Sequence, residues 1–179
     1  YGFVFLTAVE VFDGYSSEWG FSWGDVAANA TGTALYVSQS LLWNEQRIIP
    51  KFSFHTTAYA DQRPDVLGSS LSEQILKDYN GQTYWLSVNL HSFLKQTPIP
   101  SWLNVALGYG AEGMITAIPA ENDERFRQFY LSLDVNLSKI KTKSPFLSTL
   151  FSIFNSVKIP APTFEINTSG GTRFYLFYF

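Results

Sequence analysis

Residues 103–114, Leu-Asn-Val-Ala-Leu-Gly-Tyr-Gly-Ala-Glu-Gly-Met, decide the fold, because their first eight positions alternate between two chemical types. One parity is leucine, valine, leucine and tyrosine, and the other is asparagine, alanine, glycine and glycine. Successive side chains of a β-strand point to opposite faces of a sheet. The stretch therefore predicts a strand with one broad apolar face and one small, polar face.

The same period of two recurs in most of the chain after residue 46. It predicts strands at 51–57, 84–91 and 129–137, and shorter strands at 163–167 and 172–179. Two amphipathic helices are expected between strands, at 69–78 and 145–157. The first 45 residues instead have a helical period, with Ser22 and Asp25 placed to begin a helix that ends near Asn44.

These patterns predict an α+β protein, mainly antiparallel β, with a helical segment at 1–46 and a membrane β-barrel-like part at 47–179. The clearest strands have about 9–11 residues, the length that crosses a bilayer when tilted. Aromatic residues at strand ends, Tyr84, Tyr109 and Phe129, suit a lipid interface. Strands in lipid must close because open edges are not tolerated there. Only six strands are found, against about eight or more in bacterial barrels, so residues 1–12 or a preceding segment would have to supply others.

Composition excludes several classes of protein. The chain has 179 residues, of which 46% are hydrophobic, 17% aromatic and only 15% charged. Its net charge is −3, and Lys139, Lys141 and Lys143 are its densest basic run, so nucleic acid is not an expected partner. It has no Cys, which removes disulfides and zinc–thiolate sites. No stretch of about 18 apolar residues predicts a membrane helix, and no cofactor is expected.

The C-terminus, Thr172-Arg-Phe-Tyr-Leu-Phe-Tyr-Phe179, has aromatic residues at alternate positions, namely Tyr175, Phe177 and Phe179. This resembles the signal that outer-membrane barrels present to their assembly machinery. The resemblance implies the outer membrane of a Gram-negative bacterium, with its lipid and the barrel assembly machinery as partners. An ordinary buried terminal strand is the alternative. Because the chain starts at Tyr1 without Met, a signal peptide is expected to be already removed, or the numbering begins inside a longer protein.

A second resemblance is carried by Gly20-Phe-Ser-Trp-Gly-Asp-Val-Ala-Ala-Asn-Ala-Thr-Gly32, preceded by Glu10. The phrase is similar to the YfiM-like family of uncharacterised envelope proteins, frequent in the Bacteroidota, and also resembles VanZ-like helical modules. Residues 51–114 are similar to the Bacteroidota branch of the same family. The family usually carries an earlier Asp-Lys-x-x-His helix, which this sequence lacks, so 1–46 matches only the second half of such a module. The resemblance implies envelope localisation and no established activity.

Two clusters are candidates for a site. The first is a polar helix cluster in which Asp25 and Asn29 lie four residues apart on one helix face, with Glu10 nearby in sequence. It suits a proton-transfer or ligand site, or simply a helix cap and an interhelical hydrogen bond.

The second cluster combines His55 with three residues on the polar faces of the predicted strands, namely Ser53, Thr57 and Glu112. Together they would supply a nucleophile, a base and an acid. His55-Thr-Thr57, followed by Arg63-Pro-Asp65 and Gly68, loosely resembles the His-x-Ser and Lys-x-Pro-Asn segment of outer-membrane lipid A deacylases, with Thr57 standing where those enzymes use Ser. The alternative is that these residues only satisfy one another by hydrogen bonds inside a barrel. His55, His91 and Glu112 have no spacing that indicates a metal site.

The sequence thus predicts an integral outer-membrane protein with a structural or accessory role, a subunit of a larger envelope complex. Its interior, implied by Trp85, Tyr130 and Glu112, is expected to be filled and not to form a wide pore. Two other functions remain open at this stage. One is a lipid-directed hydrolase acting on lipid A or phospholipid, and the other is a soluble periplasmic binding module with an aromatic core.

Overall fold

The computed structural model describes residues 23–116 and 125–179. The chain divides into two compact units, Tyr1–Arg47 and Ile48–Phe179. The helical character expected of the residues before Trp23, and the position of Glu10, lie outside the described residues.

The described part of the first unit is one helix, α1, at Trp23–Trp43. It ends at Asn44, whose positive φ of 55° is a left-handed conformation that Asn tolerates better than most residues. The chain then folds back on the helix, because the Gln39 side chain donates to Gln46 Oε1 at 3.1 Å and accepts from the Arg47 backbone N–H at 2.9 Å. The Arg47 guanidinium lies 4.8 Å from the centre of the Trp43 ring.

The second unit is a six-stranded antiparallel sheet whose strands neighbour one another in chain order. Its strands are β1 Ile48–Phe54, β2 Gln82–Asn89, β3 Leu103–Glu112, β4 Phe126–Val135, β5 Ala161–Asn167 and β6 Thr172–Tyr178. The predicted α+β class and the antiparallel strands are confirmed. Among the described strands, β1 and β6 do not pair with each other, so the sheet they form is open.

Short helices fill the connections at both ends of the strands. Between β1 and β2 lie α2 Ala58–Gln62, α3 Pro64–Leu67 and α4 Leu71–Lys77, and between β2 and β3 lies α5 Leu90–Phe93. A 3₁₀ turn at Leu137–Lys139 and the helix α6, Pro145–Phe154, connect β4 to β5. In residues 23–116 and 125–179, no helix combines the length and hydropathy that crossing a membrane requires.

The sheet has two chemically opposite faces, which we call the inner and the outer face. The inner face is buried and mostly polar, and comprises Lys51, Ser53, Thr83, Trp85, Ser87, Asn89, Asn104, Ala106, Gly108, Gly110, Gln128, Tyr130, Ser132, Asp134, Thr163, Glu165 and Asn167. The outer face is apolar and exposed, and comprises Tyr84, Leu86, Leu107, Tyr109, Phe129, Leu131, Leu133, Phe164, Ile166, Phe174 and Leu176. The strand register places the members of each face side by side on neighbouring strands.

The sheet curves strongly around its inner face. The ring centres of Trp85 on β2 and Tyr178 on β6 are 6.2 Å apart. In a flat sheet, strands four places apart would lie about 19 Å from each other. Trp85 also packs on Tyr130, with ring centres 5.6 Å apart, so aromatic side chains occupy the centre of the inner face.

Candidate functional site

A cavity of about 690 Å³ lies at one end of the inner face. His55 reaches it from just beyond β1, and Glu112 reaches it from the last position of β3. Its walls come from α2, from the start of β4 and from β6, and include Thr57, Tyr59, Gln62, Asn80, Gln128, Tyr130, Arg173, Tyr175 and Tyr178. Three of the four predicted catalytic residues, His55, Thr57 and Glu112, therefore line one space.

His55 is held in place by its backbone. Its N–H donates to the Gly81 carbonyl at 3.0 Å, and a Cβ at Gly81 would lie 2.1 Å from the His55 carbonyl oxygen, so only glycine fits there. The imidazole packs edge-on against Tyr178, with ring centres 5.7 Å apart. Its Nδ1 atom is buried and has no hydrogen-bond partner among the described residues.

Burial lowers the pKa of the His55 imidazole below its usual value, and the nearby carboxylates Glu112 and Asp78 offset part of that effect. The neutral imidazole is therefore the form that the folded protein favours near neutral pH. A neutral imidazole can accept a proton, which is the property that a general base requires.

Thr57 is engaged with a residue that the sequence did not single out. Its hydroxyl donates to Asp78 Oδ2 at 2.6 Å and accepts from the Tyr59 backbone N–H at 3.2 Å, which caps α2. The other oxygen of Asp78 accepts from the backbone and side-chain N–H groups of Asn80, at 3.1 and 2.8 Å. The Thr57 proton is thus held by Asp78, and the predicted donation from a nucleophile to His55 is absent from this arrangement of the described residues.

Asn80 links this group to the end of β3. Its side-chain oxygen accepts from the Met114 N–H at 2.6 Å, and its side-chain nitrogen donates to the Met114 carbonyl at 3.1 Å. Thr57, Asp78 and Asn80 thus form a chain of hydrogen bonds that joins the β1–β2 connection to the end of β3. The local signal in the sequence was only the turn at 78–81, Asp-Tyr-Asn-Gly, which favours a turn without indicating its partner.

Glu112 begins a chain of side-chain hydrogen bonds across the inner face. It accepts from Gln128 Nε2 at 3.0 Å and from the Tyr59 hydroxyl at 3.5 Å. Gln128 also contacts Glu165, which is fully buried and accepts from Asn167 at 3.0 Å and from the Tyr175 hydroxyl at 2.7 Å. A carboxylate held by neutral donors is satisfied without an ion pair, which is how the interior tolerates Glu165.

Ser53, the fourth predicted catalytic residue, is buried on the inner face and does not line the cavity. Its oxygen accepts from the Trp85 indole N–H at 2.9 Å, so it satisfies the largest side chain of the core. His91, the second histidine, lies at the opposite end of β2, where its ring Nδ1 is 2.9 Å from the Ile99 carbonyl oxygen. In residues 23–116 and 125–179, no group of His, Cys, Asp and Glu is arranged to hold a metal ion.

A fully buried ionic cluster lies at the other end of the inner face, and the sequence analysis missed it. The Lys51 ammonium is 2.8 Å from Asp134 Oδ2, and Lys158 Nζ is 4.0 Å from Asp134 Oδ1. Ser87 donates to Asp134 at 2.5 Å. Both lysines also donate to backbone carbonyls at 2.7–2.8 Å. Asp134 stood on the polar parity of its predicted strand, but no local signal indicated its two cationic partners.

The polar helix cluster is only partly described. Asp25 lies in the first turn of α1, and Asn29 lies one turn later. Glu10 is outside the described residues, so the site predicted from all three stays a prediction.

The C-terminal aromatics do not share one face. A register shift between β5 and β6 pairs Thr163 with Tyr175 but Ala161 with Tyr178. The extra residue in β6 places both tyrosines on the inner side, where their ring centres are 4.9 Å apart. Phe177 remains 70% exposed, and Phe179 is exposed too. The assembly-signal role of these residues stays a prediction.

Comparisons with known proteins gave no match: no family model, no curated protein and no solved structure resembles this chain.

Proposed function

We propose that this chain is an integral protein of the outer membrane whose curved sheet forms a barrel-like body with its outer face in lipid. The observation that carries the proposal is the inversion of the sheet, since the outer face is apolar and exposed while the inner face is polar and buried. In water, exposed apolar surface costs about 25 cal/mol per Å², whereas lipid removes that cost. A polar interior and an apolar exterior are the arrangement of membrane barrels.

The role we propose is structural or accessory, within a larger envelope complex. Trp85 and Tyr130 fill the centre of the inner face, which argues against a channel for solutes. β6 is the last strand of the sheet, and its edge away from β5 has no partner strand among the described residues. Backbone groups at such an edge must be paired inside lipid, either by other parts of this chain or by a partner protein.

The membrane proposal is tested by depth-dependent quenching, for which the absence of Cys is convenient. Single variants Leu107→Cys and Leu131→Cys place an environment-sensitive dye at mid-strand on the outer face, and Ser72→Cys places it on an exposed position of α4. In vesicles of brominated phosphatidylcholine, we expect strong quenching at both leucine positions and little at Ser72. Equal, weak quenching at all three positions would contradict the proposal.

The localisation and the accessory role need separate measurements. We expect the protein to stay in isolated outer membranes after a carbonate wash, and to migrate with a stable partner after extraction in mild detergent. Release by carbonate would move the soluble binding module to first place. A monodisperse monomer in detergent would remove the accessory role while leaving the membrane proposal intact.

A lipid-directed hydrolase is the second candidate, favoured by one observation: His55, whose buried Nδ1 has no hydrogen-bond partner among the described residues, lines a cavity together with Glu112. If it is correct, the protein releases fatty acid from lipid A or phospholipid, and His55→Ala abolishes release while folding survives. The matched control is His91→Ala at the opposite end of β2. No release from either substrate by the unmodified protein would end this candidate.

A further inference from the structure

The connection between β4 and β5 combines a basic run with an unusually apolar helix. Lys139, Lys141 and Lys143 are followed by α6, whose ten residues include no charged side chain. Phe146 is 70% exposed and Ile153 is 61% exposed. Leu147 and Phe154 are exposed as well, so most of the apolar surface of α6 is not packed against the described residues.

Capping, rather than apolar packing, holds α6 in place. Pro145 occupies its first position, where proline is preset for a helix, and Ser144 Oγ accepts from the Leu147 N–H at 3.4 Å. At the other end, Asn155 Oδ1 accepts from the Leu137 N–H at 2.8 Å, which ties the helix back to the 3₁₀ turn. A capped helix with unpacked apolar side chains is typical of an element whose apolar partner is a lipid surface.

The position of α6 agrees with that environment. β4 ends at Val135 and β5 begins at Ala161, so the connection lies at the end of the sheet opposite the cavity. Directly after α6, the backbone at 156–158 pairs with Phe52 on the edge of β1 through two bonds of 2.9 Å. Val157, which lies in this pairing, is also apolar and exposed. Exposed apolar side chains therefore occur both on α6 and beside β1.

The charge of this connection is opposite to that of the protein. The chain has a net charge of −3, yet no acidic residue occurs between Asp134 and Glu165. Lys158 is buried in the ionic cluster, whereas Lys141 and Lys143 are exposed. These two exposed ammonium groups have no neighbouring carboxylate in sequence and are complementary to the anionic phosphates of a lipid surface. The adjacent apolar helix is complementary to the acyl chains.

We propose that Lys141, Lys143 and α6 form a binding site for anionic membrane lipids, with the lysines on the lipid phosphates and α6 lying in the interface. The proposal rests on the proposed function, because it requires the sheet to stand in the same bilayer. It adds a lipid preference and names the end of the sheet at which that preference resides.

The test uses the whole chain, reconstituted in vesicles, with a dye on Ile153→Cys or on Leu131→Cys. Mixed vesicles of phosphatidylglycerol and phosphatidylcholine are prepared with one lipid brominated at a time, so that quenching gives the relative association of each lipid with the label. At Ile153 we expect phosphatidylglycerol to be preferred severalfold. The preference should weaken at high salt, because both lysines are exposed.

The Lys141→Gln/Lys143→Gln variant should bring that preference close to one, a fall of up to about fivefold for each lysine removed. Lys77→Gln/Arg127→Gln is the control, because it removes two exposed positive charges at the cavity end of the sheet and should keep the preference. An unchanged preference after removal of Lys141 and Lys143, or no lipid quenching at Ile153, would overturn the inference. Quenching at Leu131 decides the proposed function separately, since it does not depend on these lysines.

Discussion

The inner and outer faces of the same sheet are opposite in chemistry and in exposure, since the inner face is polar and buried and the outer face is apolar and exposed. Each strand contributes to both, and adjacent residues such as Leu131 and Ser132 differ only in the direction of their side chains. Leu131 is 51% exposed and apolar, while Ser132 is buried and hydrogen-bonded to Thr163 at 2.8 Å. A sheet of a water-soluble protein usually has the reverse arrangement, with apolar residues buried and polar residues in water.

The contrast between the two faces is the basis of the proposed membrane location. Buried polar groups are costly unless they are hydrogen-bonded, and those of the inner face form continuous networks. Asn89 donates to Asn104 at 2.6 Å, Asn104 donates to Ser87 at 2.8 Å, and Ser87 donates to Asp134. These polar side chains of the inner face are therefore satisfied by one another, whereas the apolar side chains of the outer face remain exposed. Lipid around the outer face would remove the cost of that exposure, which is why we propose a membrane location.

The largest expected effect is at the centre of the inner network. Asp134→Ala should lower the free energy of unfolding by about 3–5 kcal/mol, because it leaves the Lys51 and Lys158 ammonium groups buried without their carboxylate. Urea unfolding in detergent micelles measures the change. The control is a triple variant, Lys51→Met, Lys158→Met and Asp134→Leu, which should recover much of the loss. A cost below about 1 kcal/mol would mean that water reaches the cluster, which would contradict the description of the inner face as buried.

The second expected effect is on the outer face. Leu131→Arg, at mid-strand, should cost about 2–4 kcal/mol in a bilayer, because it places a cation in the hydrocarbon region. Leu133→Arg, nearer the end of β4, is the depth control and should cost less. Folding equilibria in phosphatidylcholine vesicles provide the measurement. If both variants were as stable as the parent, the outer face would be in contact with water.

Sequence reasoning predicted the sheet well because the information was local. The period of two in 103–110 and 129–137 depends only on neighbouring residues, and the observed strands β3 and β4 follow it. The contrast between faces can also be read from the sequence, since the alternation places Trp85 and Tyr130 on the interior side of their strands, where the structure has them. The helical period before residue 46 likewise predicted α1.

The site was harder to predict because its contacts join distant residues. Thr57 and Asp78 are 21 positions apart, and Lys51 and Asp134 are 83 apart, so their pairing depends on register rather than on any local motif. The register shift in β6 is a further case, because one extra residue turns Tyr178 inward against an unbroken alternation in the sequence. Curvature, which brings β6 to β2, also has no signature in a single strand.

A third, smaller effect tests how tightly the inner face is filled. A Cβ at Gly108 would lie 2.6 Å from ring carbons of Trp85, whereas at Gly110 the nearest atom, on Tyr130, is 3.4 Å away. Gly108→Ala should therefore cost about 1–3 kcal/mol through overpacking, and Gly110→Ala should cost less. Urea midpoints and the tryptophan emission of each variant provide the measurement. Equal stability of the two variants would show that the Trp85 ring can move away from β3.

The smallest effect is the pH dependence that His55 should confer. Its pKa is lowered in the folded protein, so the unfolded chain binds more protons between that lowered pKa and the usual value of about 6.5. The stabilisation is therefore complete above about pH 6.5 and is lost as the pH falls through that window. Unfolding midpoints between pH 5 and 8 should decline on the acidic side, and His55→Gln should flatten the decline. His91→Gln, which removes the other histidine, should leave it unchanged. A decline that persists in His55→Gln would show that His55 is not its source and would contradict the lowered pKa of the buried imidazole.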